Sequence, residues 1–246
     1  MPLWYNTGTG LKPTSFERDN LNLDVFFCCS GPSLGEVDPL ELKGPGRLVL
    51  GVNNSYPYVS PDIWLGADDP SCYPREIFWE PFIKIMRGGH NNRGCSGKKI
   101  NGNFNTYYAD VLPPESQEEI FSKGDGVSFV WNNNVIAVAL HLLFWMGAKR
   151  IYFVGCDLDN KGKDYNHEQK LSLDNKAWAM SLYNDLFDWF KWLVPAAGDR
   201  GIQIKSCTRG SRINDIMEYV KLEDALSRSQ EGIPFNKDLI YGRDVK

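Results

Sequence analysis

The sequence predicts an α/β protein: a mostly parallel sheet with helices on both faces and a lid-like insertion. Three observations predict it. Several short runs are apolar without alternation, which suits strands covered on both faces. Each of these runs stops at small polar residues, and helical periodicity occupies the later intervals between them.

The first run is 24–29, Asp24-Val25-Phe26-Phe27-Cys28-Cys29, broken by Ser30-Gly31-Pro32-Ser33. The second is 47–52, ending at Asn53-Asn54-Ser55, and the third is 62–67, ending at Asp68-Asp69-Pro70. Asn134 to Met146 is apolar nearly all round, with Asn132-Asn133-Asn134 as its cap and Gly147 as its stop, so it reads as a buried helix. It feeds a fourth strand, 150–156, which ends at Asp157. Glu168 to Val194 reads as a second helix, with Trp178, Leu182, Leu186, Trp189 and Leu193 at three-or-four spacing and Pro195 as its terminator. The fifth strand is 201–207, ending at Thr208-Arg209-Gly210-Ser211, and Asn214 to Ser227 is an amphipathic third helix. Residues 87–105 are rich in Gly, Asn and Lys and have little to pack, which marks the insertion. The expected organisation is an N-terminal extension (1–23), one nucleotide-binding domain (24–231) and a C-terminal tail (232–246).

Composition excludes several classes. With 42% hydrophobic and 13% aromatic residues the 246-residue chain is no solvated coil. A net charge of −4 supplies no basic field for nucleic acid. The opening residues lack a secretory pattern, and the longest apolar run, Val135 to Gly147, is short for a bilayer span. The expectation is a soluble, cytoplasmic protein. Cys28, Cys29, Cys72, Cys95, Cys156 and Cys207 form no CxxC pair and have no histidine at metal-ligand spacing, so no zinc is expected. Cys28, Cys29, Cys156 and Cys207 suit reduced thiols buried in strands.

Ser30-Gly31-Pro32-Ser33-Leu34 is the strongest local signal. A glycine there lets a phosphate or ribose approach the main chain, Pro32 stiffens the turn and Ser33 can donate to an anion. An ordinary capped strand-to-helix turn has the same sequence. Asp68, Asp69, Asp157 and Asp159 at strand ends suit either a magnesium ion on a diphosphate or turn caps. Arg209, Ser211 and Arg212 suit either phosphate contact or the cap of the last helix. Of the three histidines, His141 reads as core, His90 lies in the insertion, and His167 stands in a polar loop where a near-neutral imidazole would suit a general base.

Taken together, Cys29 to Leu34, Val52 to Tyr56, Pro61-Asp62-Ile63 with Asp68, and Met146 to Leu158 resemble the landmarks of two related groups. One is glycosyltransferase family 42, the bacterial lipooligosaccharide sialyltransferases. The other is the Rossmann-like family named for the archaeal 6-hydroxymethylpterin diphosphokinase. The similarity spans roughly 24–70 and 126–226. It implies a Rossmann-like domain that holds a nucleotide at Gly31-Pro32-Ser33 and Asn53-Asn54, with Asn132, Asn133 and Asn134 as polar contacts. Two departures stand out: Ser30 replaces an asparagine before the glycine, and Asp159 replaces the first of two loop tyrosines, while Tyr165 matches the second.

The implied function is a nucleotide-dependent transferase, foremost a sialyltransferase-like glycosyltransferase with a nucleotide-sugar donor. Tyr165 would bind the leaving phosphate and His167 would serve as general base. Its partners are small molecules, with no nucleic acid and no cofactor. The alternatives are a magnesium-dependent diphosphokinase acting on a hydroxymethylpterin-like substrate and a non-catalytic nucleotide- or carbohydrate-binding module.

Overall fold

The computed structural model describes residues 3–6, 11–14, 23–90, 105–122, 128–159 and 172–229. In chain order the strands are β1 (Leu3–Asn6), β2 (Leu11–Thr14), β3 (Asp24–Cys28), β4 (Arg47–Val52), β5 (Ile63–Gly66), β6 (Ile83–Arg87), β7 (Thr106–Ala109), β8 (Val111–Leu112), β9 (Phe129–Val130), β10 (Arg150–Val154) and β11 (Gln203–Ser206). The helices are α1 (Val135–Trp145), α2 (Leu173–Gly198) and α3 (Leu222–Arg228), with short 3-10 turns between elements. The protein is α/β and Rossmann-like, with a mostly parallel sheet. Each of the five apolar runs contains a strand. Among the described residues, 3–6, 11–14 and 61–147 form one compact unit, and 23–60 and 148–229 form a second.

In the first unit β5, β6 and β7 run parallel. The segment expected to be an N-terminal extension supplies two strands here: β1 pairs antiparallel with β7, and β2 with β1. Four-residue strands are too short to announce themselves by periodicity, but Leu3 is fully buried. Helix α1 is buried along its whole length, as its all-round apolarity predicts, and Asn134 Oδ1 caps it by accepting from the Ile136 amide at 2.8 Å. His141 is part of this core. The Val130 amide donates to its Nδ1 at 3.0 Å, which puts the proton on Nε2 for donation to the Ser122 carbonyl at 3.1 Å. Burial lowers its pKa to about 4.

In the second unit β11, β10, β3 and β4 are parallel neighbours in that order. Alternation along β3 and β10 sends successive aromatic side chains to opposite faces. On one face Phe27 stacks on Phe153 at 4.6 Å, and Phe153 meets Phe190 of α2 edge-on at 5.6 Å. On the other, Phe26 stacks on Tyr152 at 5.4 Å, within a cluster that includes Cys28, Leu34, Val49, Val154 and the α3 residues Ala225 and Leu226. Helices therefore cover both faces of these strands. Arg47 fixes α3 to β4 by donating to the Leu226 carbonyl and the Ser229 hydroxyl, both at 2.7 Å.

Two of the expected helices take a different course, and α2 begins at Leu173, with Ser172 as its cap, rather than at Glu168. Pro195 does not end α2, which continues to Gly198 with Asp199 as its cap. Proline blocks only its own amide and the carbonyl four residues earlier, so one further turn is tolerated near a helix end. The expected helix from Asn214 to Ser227 is broken, because the edge of β11 captures its middle. The Ser206 amide donates to the Glu218 carbonyl at 2.9 Å and the Val220 amide to the Ser206 carbonyl at 2.8 Å, leaving a 3-10 turn at Arg212–Asp215 and a short α3.

No helix among the described residues is long and apolar enough to cross a membrane. Cys28, Cys29, Cys156 and Cys207 are free and buried, as expected. Burial pushes the Cys28 and Cys207 thiols up to about 12, so neither is a reactive thiolate.

Candidate active site at the ends of strands β3 and β10

Strands β3 and β10 pair directly, with Cys28 opposite Val154, so the turns that follow them leave the sheet side by side. The Cys29 amide donates to the Val154 carbonyl at 2.8 Å and the Gly31 amide to the Gly155 carbonyl at 2.9 Å. The two loops are thus zipped together for one residue pair beyond the ladder. Gly155 turns the second loop with φ +69°, a conformation that glycine adopts freely. A Cβ there would lie 2.7 Å from the Leu34 side chain.

Past Gly155 the chain presents Asp157 to the first turn. The Ser33 hydroxyl donates to Asp157 Oδ2 at 2.8 Å and the Ser33 amide to the same oxygen at 3.2 Å. Gly31 makes this approach possible, since a Cβ on it would stand 2.1 Å from Asp157 Oδ2 and 2.6 Å from the Gly155 carbonyl oxygen. The conformation of Gly31 itself is extended (φ −69°, ψ 163°), so the demand is for space alone. Burial raises the Asp157 pKa, and the two bonds from Ser33 pull it back, with the negative field of Asp159 adding to the rise.

This geometry gives three amides of the turn partners within the chain. Pro32 has no amide hydrogen. The amides of Gly31, Ser33 and Leu34 are directed to the Gly155 carbonyl, to Asp157 and to the Gly31 carbonyl (3.1 Å). The anion held at Ser33 is therefore the protein's own carboxylate. Asp157 Oδ1 accepts no hydrogen bond among the described residues, which leaves the pair offering an acceptor at its outer oxygen rather than donors for a phosphate.

Ser211 joins the loop after β11 to the Asp157 turn. Its hydroxyl lies 2.6 Å from the Cys156 carbonyl and 3.1 Å from the Asp157 carbonyl, and it accepts from the Ile213 amide at 3.2 Å as the cap of the 3-10 turn. Thr208, not singled out in the sequence, completes this arrangement, since its Oγ1 accepts from the Cys156 amide at 3.1 Å. Its only sequence signal is its place among the small polar residues that follow an apolar run. Arg212 leans on α2, with its guanidinium 4.0 Å above the Phe187 ring and Nη1 donating to Asn184 at 2.6 Å.

The structure thus brings Gly31, Pro32, Ser33, Asp157 and Ser211 together. Ser30 sits half-buried at the start of the first turn and Asp159 half-buried two residues beyond Asp157. Asn53 and Asn54 follow β4, the next strand over, and Asn53 has φ +47°, which asparagine tolerates. Asp68, Asn132, Asn133 and Asn134 belong to the first unit. There Asp68 is exposed after β5, while Asp69 caps a turn by accepting from the Ser71 amide and hydroxyl. Asn133 has φ +50°. Tyr165, His167 and most of the 87–105 insertion lie outside the described residues.

Among the described residues no group of three or more His, Cys, Asp or Glu side chains is placed to hold a metal ion. Asp69 works as a turn cap, and Asp157 is bonded to Ser33.

No family model matches the chain, and no curated protein does. Among solved structures it is similar to the sialyltransferase CstII from Campylobacter jejuni in complex with cytidine-5'-monophosphate (15% identity, TM-score 0.46, covering 93% of this chain and 97% of that chain). It is also similar to CST-II in complex with a trisaccharide acceptor and CMP (15%, TM-score 0.44, 80% and 85%), and to an alpha-2,3-sialyltransferase from Campylobacter jejuni in apo form (10%, TM-score 0.37, 83% and 84%).

Proposed function

We propose that the protein is a nucleotide-dependent transferase, a glycosyltransferase of the sialyltransferase type that takes a nucleotide-sugar donor at the ends of β3 and β10. One observation carries the reading: Asp157 is held by Ser33 in a space that only a glycine at position 31 leaves open, and its Oδ1 accepts no hydrogen bond among the described residues. A fixed carboxylate at the carboxyl edge of a parallel sheet is suited to accept from a sugar hydroxyl, and the ribose of a nucleotide supplies two. Two of the sequence landmarks that resemble family 42, Cys29 to Leu34 and Met146 to Leu158, include these two turns.

In this reading Asp157 accepts from the ribose, Ser30, Asn53 and Asn54 add polar contacts, and Tyr165 donates to the leaving phosphate. His167 takes the proton of the acceptor hydroxyl as the glycosidic bond to the phosphate breaks and the bond to the acceptor oxygen forms. A part for Asp159 in donor binding belongs to the same proposal.

Calorimetric titration with CMP, UDP and ATP, with and without magnesium, tests the reading, followed by donor hydrolysis and transfer assays on His167→Ala. Metal-independent binding of CMP or UDP is expected, with transfer lost and donor binding kept in His167→Ala. Binding of ATP only in the presence of magnesium would replace the reading with diphosphate transfer. Failure to bind any nucleotide would replace it with a non-catalytic module.

A further inference from the structure

We infer that Thr208 and Ser211 are positioning residues that clamp the Cys156 peptide from both sides and thereby set the Asp157 carboxylate for its ligand. The inference rests on the nucleotide site proposed above. Strand β10 ends at Val154, so the peptides that follow have no ladder partners of their own. The loop after β11 supplies them. Thr208 Oγ1 receives the Cys156 amide hydrogen at 3.1 Å, and the Ser211 hydroxyl reaches the Cys156 carbonyl at 2.6 Å. Both side chains are almost fully buried, at 2% and 6% exposure.

The clamp is needed because the turn is strained. Leu158 (φ +55°), directly after Asp157, holds a left-handed conformation that leucine disfavours. Such residues persist only where their surroundings over-determine them. The clamping loop is in turn anchored: the Cys207 amide donates to the Phe153 carbonyl at 2.8 Å, the Thr208 amide to Ser206 Oγ at 3.2 Å, and Asn214 Nδ2 to the Thr208 carbonyl at 3.1 Å. Both hydroxyls are engaged with backbone groups. Each acts through the backbone that carries Asp157.

The test uses the full chain, with the nucleotide that the wild type binds best among CMP, UDP and ATP as probe. Thr208→Val keeps the side-chain shape and strands the Cys156 amide. We expect its Kd to rise about tenfold, because a buried donor left without its acceptor relaxes by moving the loop. Thr208→Ser, which restores the oxygen, is expected to return Kd to within about threefold of wild type. Ser211→Ala is expected to raise Kd comparably, and it carries the test if Thr208→Val does not fold.

Combining Thr208→Val with Asp157→Asn separates positioning from plain stability. Acting through Asp157, the threonine adds no further loss of affinity once that carboxylate is gone. A lowered Tm with unchanged Kd in Thr208→Val, or full additivity in the double variant, would overturn the inference while leaving the nucleotide site standing. Absence of nucleotide binding in the wild type would instead overturn the function on which the inference rests.

Discussion

The tightest contact in the candidate site is the void at Gly31, and Gly31→Ala tests it directly. The added methyl would begin 2.1 Å from Asp157 Oδ2 and 2.6 Å from the Gly155 carbonyl oxygen, against a floor of 3.0 Å for real Cβ contacts. The carboxylate must retreat by about 1 Å, since repulsion at such separations far exceeds any local attraction. Its bonds from the Ser33 hydroxyl (2.8 Å) and amide (3.2 Å) stretch with it. Overpacking costs about 1–3 kcal/mol and a weakened bond to a charged group roughly another 1 kcal/mol, so a loss of about 2–4 kcal/mol is expected.

Urea denaturation at pH 7 reads this as a lower midpoint at unchanged slope, and for a chain of this length Tm falls by about 4–16 °C. Gly35→Ala is the control. It lies in the same 3-10 turn with nothing within 4 Å of an added Cβ, and should be neutral or stabilising by up to about 1 kcal/mol. Adding Asp157→Gly to Gly31→Ala should recover only part of the loss, because the Gly155 carbonyl stays where it is. A Gly31→Ala protein within about 0.5 kcal/mol of wild type would refute the packing argument.

Two further outcomes follow from titratable groups. Asp157→Asn keeps an oxygen for both Ser33 donors while removing a charge whose burial raises the Asp157 pKa. Wild-type stability is lost as pH rises through that elevated folded pKa, so the asparagine variant should be at least as stable at pH 7 while binding nucleotide more weakly. Parallel denaturation and calorimetry check this, and a stability loss in the variant would contradict it. For His141 the sign is opposite: its folded pKa of about 4 lies below the ordinary 6.5, so the unfolded chain binds the extra proton. Its contribution is complete above pH 6.5 and declines toward pH 4 by roughly 3 kcal/mol in all. His141→Gln should flatten stability between pH 7 and 5, and an unaltered slope in that variant would assign the pH dependence to other groups.

The sequence was most informative where a single physical force decides the outcome. Phe26, Phe27, Leu48, Val49, Tyr152 and Phe153 form continuous apolar runs because both faces of their strands are covered, and those strands were legible without coordinates. The all-round apolarity from Val135 to Trp145 likewise specifies a buried helix. Legibility failed where long-range partners decide. Nothing near Leu3 announces that it pairs with Ala109, and nothing near Glu218 announces that Ser206 will claim its carbonyl and break a helix. Lys84 is fully buried, with Nζ donating to the Phe82 carbonyl at 2.8 Å, a placement that its residue type does not announce. At the site the residue types were visible and their partners were not. Ser33 was legible as a donor to an anion, whereas the identity of that anion, a side chain 124 positions away, is a fact of topology alone.

That topology decides what the site can hold. Were the Gly31 turn empty, its amides would favour a phosphate. With an ionised Asp157 seated there, a phosphate oxygen about 4 Å away meets a repulsion on the order of 4 kcal/mol at the effective dielectric of a protein surface. A ribose hydroxyl in the same place gains about 1.5–3 kcal/mol from a hydrogen bond to the charged oxygen. In the proposed site, that difference of several kcal/mol would orient a nucleotide with its sugar at Asp157 and its phosphate away from the turn. The departing phosphate of a donor would then depend on a tyrosine such as Tyr165 rather than on main-chain amides. Substitution of Tyr165 should accordingly affect transfer more than ground-state affinity, the reverse of the effect at Asp157.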